Sequence, residues 1–188
     1  MKVVLIGDSI RMGYQPLVVA KCPQADVWGP DDNCRHSLWV LEHFEEWIAS
    51  QAPDVVHVNF GIHDCVPSGD GNPQILLPQY RLSLKRVIAR VKTLEKTQMI
   101  WATTTPLYIA EQDKPTAEWQ ILKEAGLKEY NDAALEIAES EGLPVNDLHE
   151  VIMSNDHTRC LCEDGCHMTE FGNEVLSDAV VKAIGALM

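Results

Sequence analysis

The chain has 188 residues, of which 46% are hydrophobic and 23% charged. This composition is typical of a folded domain and excludes a disordered chain. The formal net charge of −13 disfavours nucleic acid and anionic membrane surfaces as partners. No apolar run approaches the ~20 residues of a membrane span, and the one at the amino terminus is too short for a secretion signal. We therefore expect a cytoplasmic protein, unless an export signal has been trimmed from the chain.

Short apolar runs alternate with helical patterns along the chain. The runs predict strands over residues 2–7, 26–29, 54–60, 98–104 and, weakly, 144–146. Apolar residues at helical spacing predict helices over 37–49, 80–94 and 127–139, and a last helix with Thr169 as its N-cap. The predicted buried stripe of this last helix is Phe171, Val175, Leu176, Ala179, Val180, Ala183 and Ile184.

Strands that alternate with helices predict βαβ units and a parallel sheet covered on both faces. Because the sequence shows no internal repeat and no linker, residues 1–188 are predicted to form a single domain. Two loops, 65–73 and 106–116, are longer than a connection needs. Both leave the carboxyl edge of the predicted sheet, where open parallel sheets bind ligands, so we expect them to wall the site.

The first motif with chemical potential is the Gly7-Asp8-Ser9-Ile10 segment at the end of the first strand. A serine in a strand-to-helix turn presents its hydroxyl above the sheet edge, close to the N–H groups of the next helix. This placement suits a nucleophile whose attack creates an oxyanion. Taken alone, the motif is more often a simple turn or N-cap.

The second motif is Asp164-Gly165-Cys166-His167, just before the last helix. An aspartate three residues before a histidine can hold and orient the imidazole, which can then act as a general base. Taken alone, this motif also has a simpler interpretation, in which Asp164 only shapes the turn. Both motifs are nevertheless predicted to meet at the same sheet edge, and this convergence favours the catalytic interpretation.

At this point the sequence resembles the SGNH/GDSL hydrolases over nearly its whole length. That family carries four blocks, which fall here on Gly7-Asp8-Ser9, on Gly29 after the second strand, on Gly61-Ile62-His63-Asp64 and on Asp164-Gly165-Cys166-His167. The resemblance implies a three-layer α/β/α sandwich whose five-stranded parallel sheet has the flavodoxin-like order 2-1-3-4-5. It also implies a serine esterase that needs no cofactor, with a small-molecule or carbohydrate ester as substrate.

The catalytic triad implied by the resemblance is Ser9, His167 and Asp164. The implied oxyanion hole is formed by the N–H groups of Ser9 and Gly29. Its third donor departs from the family pattern, because His63 stands where the family has an asparagine. A neutral imidazole can still donate one N–H, so His63 is either a replacement donor or a residue that packs or contacts substrate.

Further residues close to these blocks are predicted to contact substrate or to support the site. Asn59 and Asn33 are weaker substitutes for the missing asparagine donor. The full set of these secondary residues is Asp8, Asn33, Asn59 and Asp64.

The six cysteines are expected to be free thiols. The close spacing of Cys160, Cys162, Cys166 and His167 leaves zinc as an alternative, but structural zinc sites usually use paired Cys-x2-Cys knuckles. Zinc would also take His167 from the triad, so we predict no metal. A disulfide from Cys166 to Cys160 or Cys162 is open if the protein is exported.

The remaining candidates have simpler interpretations. His57, alone in an apolar strand, is predicted to be a hydrogen-bonded core histidine. The tryptophans are expected to pack rather than to form a sugar platform. Two rivals to the esterase remain, an acyltransferase with the same triad and a non-catalytic binding module on the same scaffold.

Overall fold

A computed structural model of the chain describes residues 1–67, 71–107 and 124–188. Its strands form a single five-stranded sheet in which every described pair is parallel, with the order β2-β1-β3-β4-β5. The strands are β1 (Lys2–Ile6), β2 (Asp26–Trp28), β3 (Val55–Val58), β4 (Gln98–Ala102) and β5 (Val145–Asn146). The predicted strand order is therefore confirmed.

The central strands explain why the apolar runs are continuous rather than alternating. Val3 to Ile6 of β1 and all of β3 are fully buried, since helices cover both faces of the sheet. In register, Val3 pairs with Val27 on one side and with Val55 on the other. This pairing places the loops after β1 and β3 next to each other at the carboxyl edge.

The helices of the described residues form two layers. One layer is built on α1 (Ser9–Lys21) and α9 (Glu170–Gly185), which pack against each other, with α7 (Leu148–Met153) and α8 (His157–Cys160) contacting α9. In the other layer, α2 (Ser37–Glu42) packs on α5 (Leu77–Lys92), and α5 packs on α6 (Glu124–Ser140). Among the described residues, no helix is long and apolar enough to cross a bilayer. The longer helices are α1 (Ser9–Lys21), α5 (Leu77–Lys92), α6 (Glu124–Ser140) and α9 (Glu170–Gly185).

The predicted helix over residues 37–49 is wrong in its continuity. The structure divides it into α2 (Ser37–Glu42) and α3 (Phe44–Trp47), followed by a 3-10 turn. His43 lies between them with φ −96° and ψ 12°, a backbone conformation outside the α-helical region. Its ring stacks on Trp47, and its Nδ1 lies 3.0 Å from the Trp39 carbonyl.

Three short helices were not predicted: α4 (Ile62–Cys65), α7 (Leu148–Met153) and α8 (His157–Cys160). Helices of four to six residues have too few turns to show an apolar period. Tertiary packing therefore decides whether they form.

The last helix is confirmed at its start, where the hydroxyl of Thr169 accepts a hydrogen bond from the Gly172 N–H at 3.1 Å. Its predicted buried stripe is wrong at Phe171, which is 37% exposed. The guanidinium of Arg159 lies over the Phe171 ring at 4.2 Å. A cation–π contact at the surface satisfies this ring outside the core.

His57 is fully buried in β3, as expected of a core histidine. Its Nε2 lies 3.1 Å from the amide nitrogen of Asn146, whereas its Nδ1 has no hydrogen-bond partner among the described residues. Burial lowers the pKa of His57 to about 4. The ring is therefore a neutral core group whose hydrogen bonding is only half satisfied.

Candidate active site

Ser9 lies at the point where β1 ends and α1 begins. The side chain of Asp8 caps this helix by accepting the Ile10 N–H at 2.9 Å. Ser9 is the first helical residue and is partly exposed, while Asp8 before it is buried. The N–H of Ser9 makes no hydrogen bond within the described residues. The N-terminus of α1 therefore offers a free backbone donor at the serine itself.

His167 and Asp164 are held by a tight turn before α9. Gly165 has φ +69°, a left-handed conformation that favours glycine. The Cys162 N–H donates to the His167 carbonyl at 2.8 Å and closes the turn. The Oδ1 of Asp164 accepts the N–H groups of Cys166 and His167, each at 3.0 Å. These two hydrogen bonds hold the Asp164 carboxylate in place independently of its contact with the imidazole.

The structure brings Ser9, His167 and Asp164 into one line of hydrogen bonds. Ser9 Oγ lies 2.9 Å from His167 Nε2, and His167 Nδ1 lies 2.7 Å from Asp164 Oδ2. Both distances are within the range of direct hydrogen bonds. The nucleophile and base candidates are thus in contact, and a third group orients the base, as nucleophilic catalysis requires.

The charge of Asp164 decides which nitrogen of His167 carries the proton. Burial acts to raise the pKa of this carboxyl, but hydrogen bonds from Cys166 and His167 outweigh it, so the pKa is lowered. An ionised carboxylate can only accept, so Nδ1 must donate. Nε2 of the neutral ring is then free to accept the Ser9 hydroxyl proton.

A cavity of about 260 Å³ opens beside these residues. Its apolar walls come from Ile10, Ile62 and Val66, and its polar side chains include His63 and Gln74. The lining is completed by Asp8, Ser9, Cys166 and His167. The structure therefore joins an apolar pocket to the serine and histidine at the carboxyl edge of the sheet.

His63 lines the cavity beside Ser9, whereas Gly29 is not among the residues that line it. His63 belongs to α4, is half-buried and lines the same cavity as Ser9. Gly29 is not among the cavity residues. A Cβ at this position would lie 2.7 Å from the Leu5 carbonyl and would also meet Gln15 Oε1, so the close approach to β1 and α1 gives a structural reason for a glycine here.

Two predicted secondary residues are engaged elsewhere in the fold, which corrects their predicted roles. The amide nitrogen of Asn59 donates to the carbonyls of Ala102 and Thr103 at 3.0 and 2.9 Å. Asn59 is thereby committed to holding the start of the loop after β4 and has no N–H left for an oxyanion. Asp64 is fully buried and accepts hydrogen bonds from Ser37, so it cannot touch substrate.

The other two secondary residues also have local hydrogen bonds. Asn33 is half-buried and its side chain accepts the Arg35 N–H at 2.8 Å, which shapes the loop before α2. It is not among the residues that line the cavity. Asp8 does line it, but its carboxylate is occupied in capping α1. The side chains of Asn33 and Asp8 therefore hold backbone segments near the site in place.

Asp64 carries a testable pH dependence. Burial raises the pKa of its carboxyl to about 7, although hydrogen bonds from Ser37 act in the opposite direction. Between its ordinary pKa and about 7 the folded protein holds a proton that the unfolded chain has released. The contribution of Asp64 to stability therefore falls as pH rises through this window, by up to about 1.4 kcal/mol per pH unit.

The variant Asp64→Asn keeps the size and one acceptor of the side chain but cannot titrate. We expect the stability of the wild type relative to this variant to decline between pH 5 and pH 7 and then to level off. Urea unfolding of both proteins at several pH values measures this difference. Stability curves that run parallel across the window would contradict the assignment.

Gln74 is a cavity residue that the sequence analysis missed. Its N–H donates to the Val66 carbonyl at 2.9 Å, and Pro67 forms an antiparallel bridge with Pro73. Its exposed side chain makes no hydrogen bond to the described residues. No sequence signal marks it, because the backbone pairing of 66–67 with 73–74 brings this glutamine to the cavity.

All six cysteines are free thiols in the structure. Cys166 lines the cavity, and burial raises the pKa of its thiol to about 12, which makes it a poor nucleophile. Within the described ranges, no three histidine, cysteine, aspartate or glutamate side chains lie close enough together to hold a metal ion. The ring nitrogens of His167 face Ser9 and Asp164.

The α/β/α fold and this line of side chains define the class of SGNH/GDSL hydrolases. A sequence model of the GDSL-like lipase/acylhydrolase family matches residues 5–175. The chain therefore belongs to this family, and the predicted family membership is confirmed.

The GDSL esterase/lipase CPRD49 of Arabidopsis thaliana is 24% identical over 159 residues, which cover 81% of this chain and 62% of that protein. The chain thus spans less than two thirds of this relative's length.

Solved structures share the fold. The lipase/acylhydrolase from Enterococcus faecalis superposes with a TM-score of 0.81 at 24% identity, covering 98% of this chain and 95% of that one. The acetylxylan esterase Axe2 from Geobacillus stearothermophilus gives a TM-score of 0.75 at 21% identity, covering 98% and 94%. At these identities the likeness establishes the three-layer fold, which is the predicted fold class.

Proposed function

We propose that this protein is a serine esterase that hydrolyses carboxylic esters with a small acyl group. The observation that carries the proposal is the pair of hydrogen bonds in series, Ser9 Oγ to His167 Nε2 and His167 Nδ1 to Asp164 Oδ2. A line of this kind beside a cavity is what an acyl-transferring serine needs. It also argues against a non-catalytic binding module.

In the first step, His167 Nε2 takes the proton of the Ser9 hydroxyl while Oγ attacks the ester carbonyl carbon. The tetrahedral intermediate carries its negative charge on the former carbonyl oxygen. When it collapses, the bond from carbon to the alcohol oxygen breaks. His167 returns the proton to that oxygen, and the acyl group stays on Ser9.

In the second step, a water molecule replaces the alcohol. His167 takes one proton from the water, and the resulting oxygen nucleophile attacks the acyl carbon. Collapse of the second intermediate breaks the bond to Ser9 Oγ, which recovers its proton from His167. Throughout, Asp164 holds the ring and stabilises its charged form.

The oxyanion would be held by the free N–H of Ser9 at the start of α1, where the helix dipole favours negative charge. Gly29 is not assigned to this role, because it is not among the residues that line the cavity. His63 is the proposed second donor, since it lines the cavity with Ser9 and His167. It would take the place of the asparagine in the family pattern.

The role of His63 can be tested with two variants. His63→Ala should lose ~10²-fold or more in kcat, because one oxyanion donor is gone. His63→Asn restores an amide donor at the same position and should stay active. Steady-state kinetics on both proteins separate donor from packing roles. If the alanine variant matches the wild type in kcat and differs only in a raised KM, His63 binds substrate and does not hold the oxyanion.

The proposed small acyl group follows from the size of the cavity. At about 260 Å³ it lies below the ~300–1,000 Å³ of sites for drug-sized ligands. Ile10, Ile62 and Val66 close its apolar side. The fold shared with an acetylxylan esterase supports a small-molecule or carbohydrate ester by analogy.

A fluorophosphonate probe tests the proposal directly. An activated serine should be labelled in the wild type, and peptide mass spectrometry should place the label on Ser9. A series of p-nitrophenyl esters then measures the acyl preference, with kcat/KM expected to fall as the chain lengthens. A protein that neither takes the probe nor hydrolyses any ester would refute the esterase.

A further inference from the structure

Arg11 lies in the first turn of α1, two residues after Ser9, and is only 2% exposed. Its guanidinium nitrogens lie at hydrogen-bonding distances from five groups. These are Gly7 O at 3.3 Å, Gln15 Oε1, Pro30 O and Asp32 O at 2.7 Å each, and Cys34 Sγ at 3.8 Å. Arginine can satisfy so many acceptors at once because its donors form a planar fork.

None of these acceptors is a carboxylate, and among the described residues Arg11 forms no salt bridge. A buried cation whose hydrogen bonds all go to uncharged groups is expensive to desolvate, and these hydrogen bonds recover only part of that free energy. A hydrophobic side chain would fill the same space without this penalty. Stability alone is therefore a poor explanation for an arginine at this position.

The hydrogen bonds join two segments of the site. Nε of Arg11 binds the carbonyl of Gly7, at the start of the turn that presents Ser9. The two terminal nitrogens hold the carbonyls of Pro30 and Asp32, in the loop between β2 and α2. The Cys34 N–H also donates to the Gly7 carbonyl at 3.2 Å, so the loop is attached to the turn directly as well.

The contact at Gln15 extends this arrangement to Gly29. Gln15 Oε1, held by Arg11 at 2.7 Å, would lie 2.4 Å from a Cβ at position 29. The side chain of Gln15 thus connects the Arg11 contacts to the start of the loop at Gly29. The backbone of Gly29 also lies close to β1, where a Cβ would be 2.7 Å from the Leu5 carbonyl.

The other end of this loop, at Ser37, contacts the helix that carries His63. Ser37, which begins α2, donates from its N–H and its hydroxyl to the buried carboxyl of Asp64. Asp64 is next to His63 in α4. Arg11 and Asp64 therefore hold the two ends of one loop, between the turn that carries Ser9 and the helix that carries His63.

We propose that Arg11 is a positioning residue, whose hydrogen bonds hold the Ser9 turn against the loop over residues 30–34. The proposal rests on the function proposed above. Ser9 Oγ must stay within hydrogen-bond reach of His167 Nε2, and a displacement of about 1 Å in an active site can lower the rate by ~10²-fold. Arg11 acts through Ser9 and does not touch substrate.

Two substitutions separate the hydrogen bonds from the charge. Arg11→Met keeps the length of the side chain but removes every donor, and we expect kcat to fall by ~10- to 10²-fold with KM little changed. Arg11→Lys keeps the charge but can reach only a subset of the acceptors, so it should recover part of the activity. The rate of fluorophosphonate labelling at Ser9 should fall by the same factors.

A matched control accounts for lost stability. Val180→Ala shortens a fully buried side chain in α9, away from the Arg11 contacts, and should lower Tm while leaving kcat per folded molecule unchanged. All rates are divided by the folded fraction measured by circular dichroism. If Arg11→Met behaves like Val180→Ala, or if Arg11→Lys equals the wild type, the positioning role is refuted.

The lysine variant decides the question if the methionine variant does not fold. If the wild type is active and Arg11→Lys is equally active, only the role of Arg11 is refuted. A wild-type protein without esterase activity or probe labelling refutes the proposed function itself. The two failures are therefore distinguishable.

Discussion

Ser9→Ala should fold normally and lose about 10³-fold or more in kcat on any ester that the wild type hydrolyses, since no nucleophile remains to form the acyl-enzyme. The substitution removes a partly exposed hydroxyl whose one hydrogen bond within the described part of the chain is with His167 Nε2. Circular dichroism and urea unfolding should therefore match the wild type. Steady-state kinetics measure the loss, and the fluorophosphonate label should disappear with it.

The exposed Ser50 provides a matched control, because its hydroxyl only donates to the Glu46 carbonyl at the surface. Ser50→Ala should retain wild-type turnover and labelling. If Ser9→Ala kept a tenth of wild-type turnover, Ser9 would not be the nucleophile.

Asp164→Asn should reduce kcat by about 10³-fold while KM stays close to the wild-type value. The asparagine oxygen can still accept the N–H groups of Cys166 and His167, so the turn should persist. Its NH2 group, however, would face His167 Nδ1, which must then become an acceptor. The proton moves to Nε2, and the ring can no longer accept the hydroxyl proton of Ser9.

Glu163→Gln is the control for this variant, since it removes the same charge from the exposed neighbouring residue. It should leave kcat unchanged. Steady-state kinetics of the two variants show whether the loss in kcat requires removal of the Asp164 charge itself or follows from removal of any negative charge in this turn. An Asp164→Asn protein with wild-type kcat would reduce Asp164 to a turn residue.

The strands were predictable because their signals are local, whereas their order 2-1-3-4-5 was implied by the family resemblance. Buried parallel strands have continuous apolar runs such as residues 55–58, and the connections between them must cross over in a helix. The prediction of one helix over 37–49 was wrong because its apolar spacing is continuous, whereas the break depends on the backbone conformation of His43, which that spacing does not reveal.

The meeting of Ser9 with His167 was predictable for a similar reason. One motif follows the first strand and the other precedes the last helix. The two were expected to meet because the carboxyl ends of parallel strands share an edge. Asn59 and Asp64 were placed at the same edge by the same logic. Their side chains nevertheless bind Ala102 and Ser37, because a polar group beside a buried loop must satisfy that loop first.

The sequence by itself determined the class of fold, the family and the three side chains that line up as a candidate triad, because periodicity marks the strands and helices and four motif blocks carry the family resemblance. Tertiary structure alone decided that Gly29 accommodates Gln15, that Arg11 ties the Ser9 turn to a distant loop, and that Gln74 reaches the cavity. The physical reason is that hydrogen-bond partners and close approaches arise between segments far apart in the chain. Neither composition nor periodicity contains that information.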